Sequence, residues 1–157
     1  MNVVCFHNPN EENGYLSNWY PSQFHVNSIT FSSMEQYMMY CKAICFHDAD
    51  IAQQILDADN PGKIKYLGRC VRNYDDHYWN GIRQIVVYEG LYAKFSQNED
   101  LKNRLLATGH AVLAECAVQD RIWGIGLSMH DPNRFDRTQW QGQNLLGYAL
   151  MQVRSKL

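Results

Sequence analysis

The stretch from Ser33 to Phe46, SMEQYMMYCKAICF, constrains the fold more than any other part of the chain. Met34, Tyr37, Met38, Met39, Tyr40, Cys41, Ala43, Ile44, Cys45 and Phe46 leave almost no polar face, and a helix that is apolar all round is normally buried. The same helix carries one carboxylate, Glu35, and one amine, Lys42. They project from nearly the same face, about 10 Å apart along the axis. Opposite charges on a buried helix, too far apart to pair directly, need other partners, and a polar ligand in a cleft is one. A purely structural alternative is equally simple. Ser32-x-x-Glu35 and Ser33-x-x-Gln36 both fit the capping box. Glu35 is then a first-turn carboxylate favoured by the helix dipole, and Lys42 snorkels its amine into water. From this helix alone both readings stand.

Composition narrows the class. A chain of 157 residues, 46% hydrophobic and 13% aromatic, predicts a single compact domain with a substantial core. A net charge of −2 disfavours a general nucleic-acid or membrane-surface binder. Recognition of one nucleotide or one modified base needs only a local site and stays open. Met1 to Phe6 is short, uncharged and followed by polar residues, unlike a signal peptide, and no uncharged apolar run approaches the ~18 residues that span a membrane. Five cysteines, an odd number, suit a reduced cytoplasmic protein. Cys41-x3-Cys45-x-His47 has no second ligand pair at metal-binding spacing, so the expectation is a protein without metal or cofactor.

Along the chain, Val3 to His7 predicts a strand and Asn8 to Asn13 a polar loop. Phe24-His25-Val26 and Ile29-Thr30-Phe31 alternate around Asn27-Ser28 as a hairpin that feeds the Ser33 helix. Asp48 caps a second helix, Ala49 to Ala58, and Pro61 starts a third that runs from Gly62 to about Val71. Lys65, Arg69 and Arg72 fall on one face of that third helix. It is either a solvated stripe or, through the planar fork of Arg69, a phosphate-binding edge. The longest helix runs from His77 to about Phe95 with Trp79 in its first turn, and Glu99 to Ala107 is a short amphipathic one. Ala111 to Cys116 is a buried strand whose single charge, Glu115, needs a partner. The segment Gln119 to Gly126, QDRIWGIG, shows no regular period; an acid, an indole and two glycines after a buried strand suit a site-bearing loop. Ser128 to Thr138 is polar and predicts a mobile loop, and Gln139 to Lys156 a closing helix.

These elements predict an α+β fold, predominantly helical, with a few short strands packed against a helical core. Neither a Rossmann nor a P-loop glycine pattern is present, and no nucleophile elbow.

Several spaced segments resemble the NADAR family, named for proposed links to NAD and ADP-ribose. They are GYLSNWYP (Gly14–Pro21), SMEQYMMYCKA (Ser33–Ala43), LGR (Leu67–Arg69), Trp79, AKFSQN (Ala93–Asn98), LLATG (Leu105–Gly109), QDRIWGIG (Gln119–Gly126) and WQGQNLLG (Trp140–Gly147). They follow the family's order and cover almost the whole chain. The family includes N-glycosidases acting on early riboflavin-pathway intermediates and domains that remove ADP-ribose from guanine. The resemblance implies hydrolysis of an N-glycosidic bond of a phosphorylated ribosyl substrate, free or within nucleic acid. It matches the family's glutamate to Glu35, its tryptophan to Trp79 and its aspartate to Asp120. It also links Lys42 to a covalent Schiff-base step. Tyr40-Cys41 departs from the small residue and glutamine that often precede this lysine, which bears on the pocket floor and substrate choice.

The residue types suit that chemistry. Breaking an N-glycosidic bond builds oxocarbenium-like charge that a carboxylate stabilises, and the leaving group needs a proton. Glu35 and Asp120 can divide those roles. A desolvated Lys42 can attack C1 once the sugar reaches aldehyde level. Trp79 and Trp123 offer flat faces for a base, with core packing the alternative for each. Ser17 and Asn18 can bond sugar hydroxyls, Arg69 a phosphate, and Gly124 opens the backbone beside Trp123. Gly142 and Asn144 are expected to cap the last helix, whose start favours anions. The alternative from another class is a non-catalytic module that binds ADP-ribose or NAD; such a module has no need of an amine together with two acids.

Overall fold

A computed structural model describes residues 2–157. Among them are six α-helices and four short strands, an α+β architecture that is mainly helical, as expected. The chain forms two compact units: Pro21–Asn98, and a split unit made of the residues up to Tyr20 together with Glu99–Leu157.

The Pro21–Asn98 unit opens on an antiparallel hairpin, β2 (Phe24–Val26) and β3 (Ile29–Phe31), with Phe24 opposite Phe31. Asn27 and Ser28 at its tip both have positive φ, 50° and 68°. That is the two-residue primed turn whose twist matches the flanking strands. Tyr37 of α1 (Met34–Cys45) packs edge-on to Phe31 at 5.0 Å between ring centroids. Helix α1 then lies against α2 (Ala49–Asp57), α3 (Pro61–Arg69) and α4 (Asp76–Ser96). Close approach depends on two glycines: a Cβ at Gly68 of α3 would run into Met39, and one at Gly90 of α4 into Tyr37 and Met34. Residues Met34 to Met39 are all buried, but Ile44 is 47% exposed. The apolar sheath therefore opens at the C-terminal end of α1.

The capping pattern of α1 settles in one of its two registers. Ser33 Oγ accepts from the Gln36 backbone N–H at 3.2 Å. Gln36 Oε1 accepts from the Ser32 backbone N–H at 2.7 Å, while Gln36 Nε2 donates to the carbonyls of Ile55 and Ala58 at 3.0 and 2.8 Å. One buried amide thus ties the start of α1 to the end of α2.

The predicted basic face of α3 is shorter than expected. The helix ends at Arg69, and Arg72 lies beyond it, donating its backbone N–H and guanidinium to Asp48, each at 2.8 Å. Asp48 also caps α2 through Ile51 N–H at 3.2 Å. These bonds to Arg72 hold the Asp48 carboxyl far below the usual carboxylate range. The nearest acids, rather than a shared helix face, decide where Arg72 points.

In the split unit β1 (Val3–Phe6) pairs in parallel with β4 (Val112–Glu115), Phe6 opposite Glu115. Helix α5 (Glu99–Ala107) precedes β4, and α6 (Leu145–Lys156) packs on it. A Cβ at Gly147 would run into the Leu113 carbonyl, so α6 lies directly on the strand backbone. The closing helix starts at Leu145, not at Gln139. Asn144 has φ 54°, and the N–H groups of Gln141, Gln143 and Asn144 go to the carbonyls of Ile125, Arg121 and Gly124 instead of into a helix. The segment expected to be a mobile loop forms two 3-10 turns, Pro132–Phe135 and Arg137–Gln139, capped by Asp131 and Asp136. Trp140 Nε1 is bonded to the Arg134 carbonyl at 2.8 Å.

Candidate active-site residues

Lys42 is the centre of the charged group in the Pro21–Asn98 unit. Helix α1 half-buries its stem, and this burial lowers its amine below the usual lysine range. Glu35 is the strongest opposing influence, Arg69 adds to the lowering, and Asp76 opposes it. The lysine Nζ rests 4.5 Å from the ring centroid of Tyr74. Glu35 itself is 6% exposed, in the first turn of α1. The structure thus brings Glu35, Lys42 and Arg69 into one electrostatic neighbourhood. Arg69 sits exposed in the last turn of α3. Trp79 is 6% exposed, in the first turn of α4. An open groove in the same unit, with Thr30, Phe31, Gln36, Asp57 and Asp59 among its lining, holds none of the candidate side chains.

The second group lies in the split unit. Asp120 Oδ1 accepts from the backbone N–H of Ile122 at 3.0 Å and of Trp123 at 2.9 Å. This Asx turn fixes the loop after β4. The loop is regular in its bonding although it has no repeat: Ile125 N–H goes to the Glu115 carbonyl and Gly126 N–H to that of Ala117. On its other side it accepts from Gln141, Gln143 and Asn144. Gly142 allows that approach, since a Cβ there would run into the Gly124 carbonyl. Trp123 is half-buried and so, unlike Trp79, leaves part of its indole accessible.

Asn144 and the start of α6 differ from expectation. Asn144 occupies the N-cap position but its side chain caps nothing. Its amide bonds β4 instead, Nδ2 to the Leu113 carbonyl at 2.8 Å and Oδ1 from the Glu115 N–H at 3.0 Å. The first N–H groups of α6 are also taken, Leu145 by the Ile122 carbonyl and Leu146 by that of Trp123. Two of the donors expected for an anion site at this helix start are therefore already taken. Gly142 and Asn144 shape the loop rather than cap the helix.

Ser17 is buried and accepts from the Trp19 N–H at 3.1 Å. Asn18 Oδ1 is buried with no hydrogen-bond partner among the described residues, the condition of an acceptor that a ligand hydroxyl would satisfy. Three neighbours were not singled out from sequence. His7 Nδ1 lies 3.5 Å from Glu115 Oε1, supplying the partner Glu115 was expected to need. Burial raises the Glu115 carboxyl above its usual range, and Asp120 adds to the rise. Tyr74 and Asp76 beside Lys42 were hidden because Asp75-Asp76 reads as a helix cap.

The NADAR domain model matches residues 5–157, and the chain belongs to the NADAR family. N-glycosidase R617 of Acanthamoeba polyphaga mimivirus is 40% identical over 161 residues, covering 98% of this chain and 95% of that protein. Riboflavin biosynthesis protein VVA0006 of Vibrio vulnificus is 32% identical, covering 98% of this chain and 38% of its own length. The NMR structure of the Escherichia coli protein YbiA matches with a TM-score of 0.80 at 28% identity, covering 99% of this chain and 84% of that one. No helix among the described residues is long and apolar enough to cross a membrane.

Proposed function

We propose that this chain cleaves the N-glycosidic bond of a phosphorylated ribosyl substrate. The enzyme class is N-glycosidase and the substrate a small glycosylated molecule, as the named relatives indicate. The substrate is either an ADP-ribosylated guanine, free or within nucleic acid, or a ribosylaminopyrimidine phosphate of early riboflavin metabolism. The observation that carries the reading is α1 itself, which presents a buried carboxylate, Glu35, and a desolvated amine, Lys42, whose ionisation that carboxylate influences.

In this reading the neutral Lys42 Nζ bonds C1 while the C1–N bond to the base breaks. The base leaves with the bonding pair and takes a proton from a carboxylic acid. The ring C1–O bond then opens, Nζ passes its proton to the ring oxygen, and a cationic Schiff base remains. Water adds to C1 and expels the amine, restoring Lys42. Glu35 and Asp120 share the work of donating the proton and stabilising positive charge at C1. Arg69 takes the phosphate, and Ser17 and Asn18 take the sugar hydroxyls. Trp123, with Gly124 beside it, and Trp79 provide faces for the base, and Gly142 and Asn144 shape the loop that carries Trp123. We treat the chain as one NADAR domain, and the proposed chemistry calls on no cofactor. Five free thiols suit action in the cytoplasm.

Borohydride reduction during turnover is expected to trap a sugar adduct on Lys42, located by peptide mass spectrometry. A Lys42→Ala variant with wild-type turnover would overturn the covalent route.

A further inference from the structure

The Lys42 amine meets an aromatic face, and nothing in the hydrolytic reading above uses it. Its Nζ lies 4.5 Å from the centroid of the Tyr74 ring, in the connection between α3 and α4. That ring is fixed on two further sides. The Tyr74 hydroxyl donates to Asp76 Oδ1 at 2.7 Å, and the Phe46 ring braces it edge-on at 5.3 Å. Burial and Asp76 push the Tyr74 hydroxyl up to about 12, so it stays a donor. Phe46 follows α1 directly, so the bracing ring and the lysine share the C-terminal end of that helix.

We infer that Tyr74 is a positioning residue for Lys42, holding its nitrogen at a π face and stabilising the positive charge that nitrogen carries in the Schiff base. The inference rests on the covalent reading of Lys42. Its physical basis is that a neutral amine gains little from the ring quadrupole while an ammonium or iminium gains substantially. The nucleophile must be neutral to attack, yet the intermediate it forms is a cation. Groups facing Lys42 set both: Glu35 and Asp76 favour the charged form, while Arg69 and burial disfavour it. Carboxylates placed to offset burial fully would keep the amine protonated. A ring face stabilises the charged adduct with no proton of its own to exchange, and the Asp76 and Phe46 contacts keep it from rotating away.

The test uses the full chain with ribose 5-phosphate as an aldehyde-bearing probe and cyanoborohydride as the trap. Tyr74→Leu is expected to lower the trapped Lys42 adduct by ~2- to 30-fold, the range of cation–π strengths from exposed to desolvated sites. Tyr74→Phe keeps the ring and is expected to recover most of the adduct. The pH midpoint for reductive methylation of Lys42 moves down in Tyr74→Leu and stays in place in Tyr74→Phe, a separation that mere loss of packing would not produce. Should the leucine variant fail to fold, stepwise fluorination of a phenylalanine ring at position 74 keeps the shape and is expected to reduce the adduct step by step. Equal adduct in the wild type and Tyr74→Leu, or no response to fluorination, would overturn the inference. Absence of any adduct in the wild type would instead remove the covalent reading on which it rests.

Discussion

Glu35→Gln is expected to lower turnover by about 10²- to 10⁴-fold, the usual loss when a positioned acid or base is removed, with the fold intact. Ser33 and Gln36 form the cap of α1, and the loss of a first-turn charge costs about 0.3–1 kcal/mol at a helix start. The amide nearly matches the carboxylate in shape and leaves the packing alone. The sign of the effect on Lys42 distinguishes roles further. Glu35 raises the Lys42 amine against the lowering by burial. Removing the charge therefore makes the amine more often neutral and a readier nucleophile. If Glu35 served only to hold that charge, Glu35→Gln would speed adduct formation. A fall in turnover, measured beside an unchanged melting curve, marks it as acting on the transition state.

Asn144→Ala carries the largest expected cost in stability, about 3–5 kcal/mol, which in a chain of this size lowers the melting temperature by roughly 10 °C or more. Asn144 is fully buried, and its amide bonds β4 at both Leu113 and Glu115. Truncation leaves a carbonyl and an N–H without partners in the interior, each costing ~1–3 kcal/mol. Alanine also lacks the tolerance of asparagine for the left-handed backbone held there, φ 54°. Asn144→Asp offers no rescue, because a carboxylate faces the Leu113 carbonyl where the amide donated. Thermal melts of the two variants beside the wild type check this; a loss within 1 kcal/mol of zero would show that β4 and α6 do not depend on the bridge.

The elements most legible in the sequence are those defined by local period. Helix α4, the hairpin at Asn27-Ser28 and the buried α1 all fall where hydrophobic spacing and turn residues put them. What escaped depends on partners distant in the chain. Gln36 fits a local capping box, yet half of its amide serves carbonyls at Ile55 and Ala58. Asn144 reads as a cap, and its side chain is instead drawn to β4. Arg72 extends a helical charge period, and the paired oxygens of Asp48 draw it away. The segment after Ser128 has no apolar period because short 3-10 turns capped by aspartates need none. The Glu35–Lys42 pair was visible as two charges on an apolar helix. The tyrosine beside the amine was not, since no spacing rule links a loop residue at 74 to position 42.

The proposed chemistry requires that the chain break an N-glycosidic bond rather than merely hold its ligand. The most direct measurement is incubation with ADP-ribosylated guanosine and, separately, with a ribosylaminopyrimidine phosphate, followed by chromatographic separation of products. Release of guanosine with ADP-ribose, or of the aminopyrimidine with ribose 5-phosphate, is expected from at least one of them. Saturable binding of both substrates with neither one cleaved would contradict it and leave a ligand-binding module in its place.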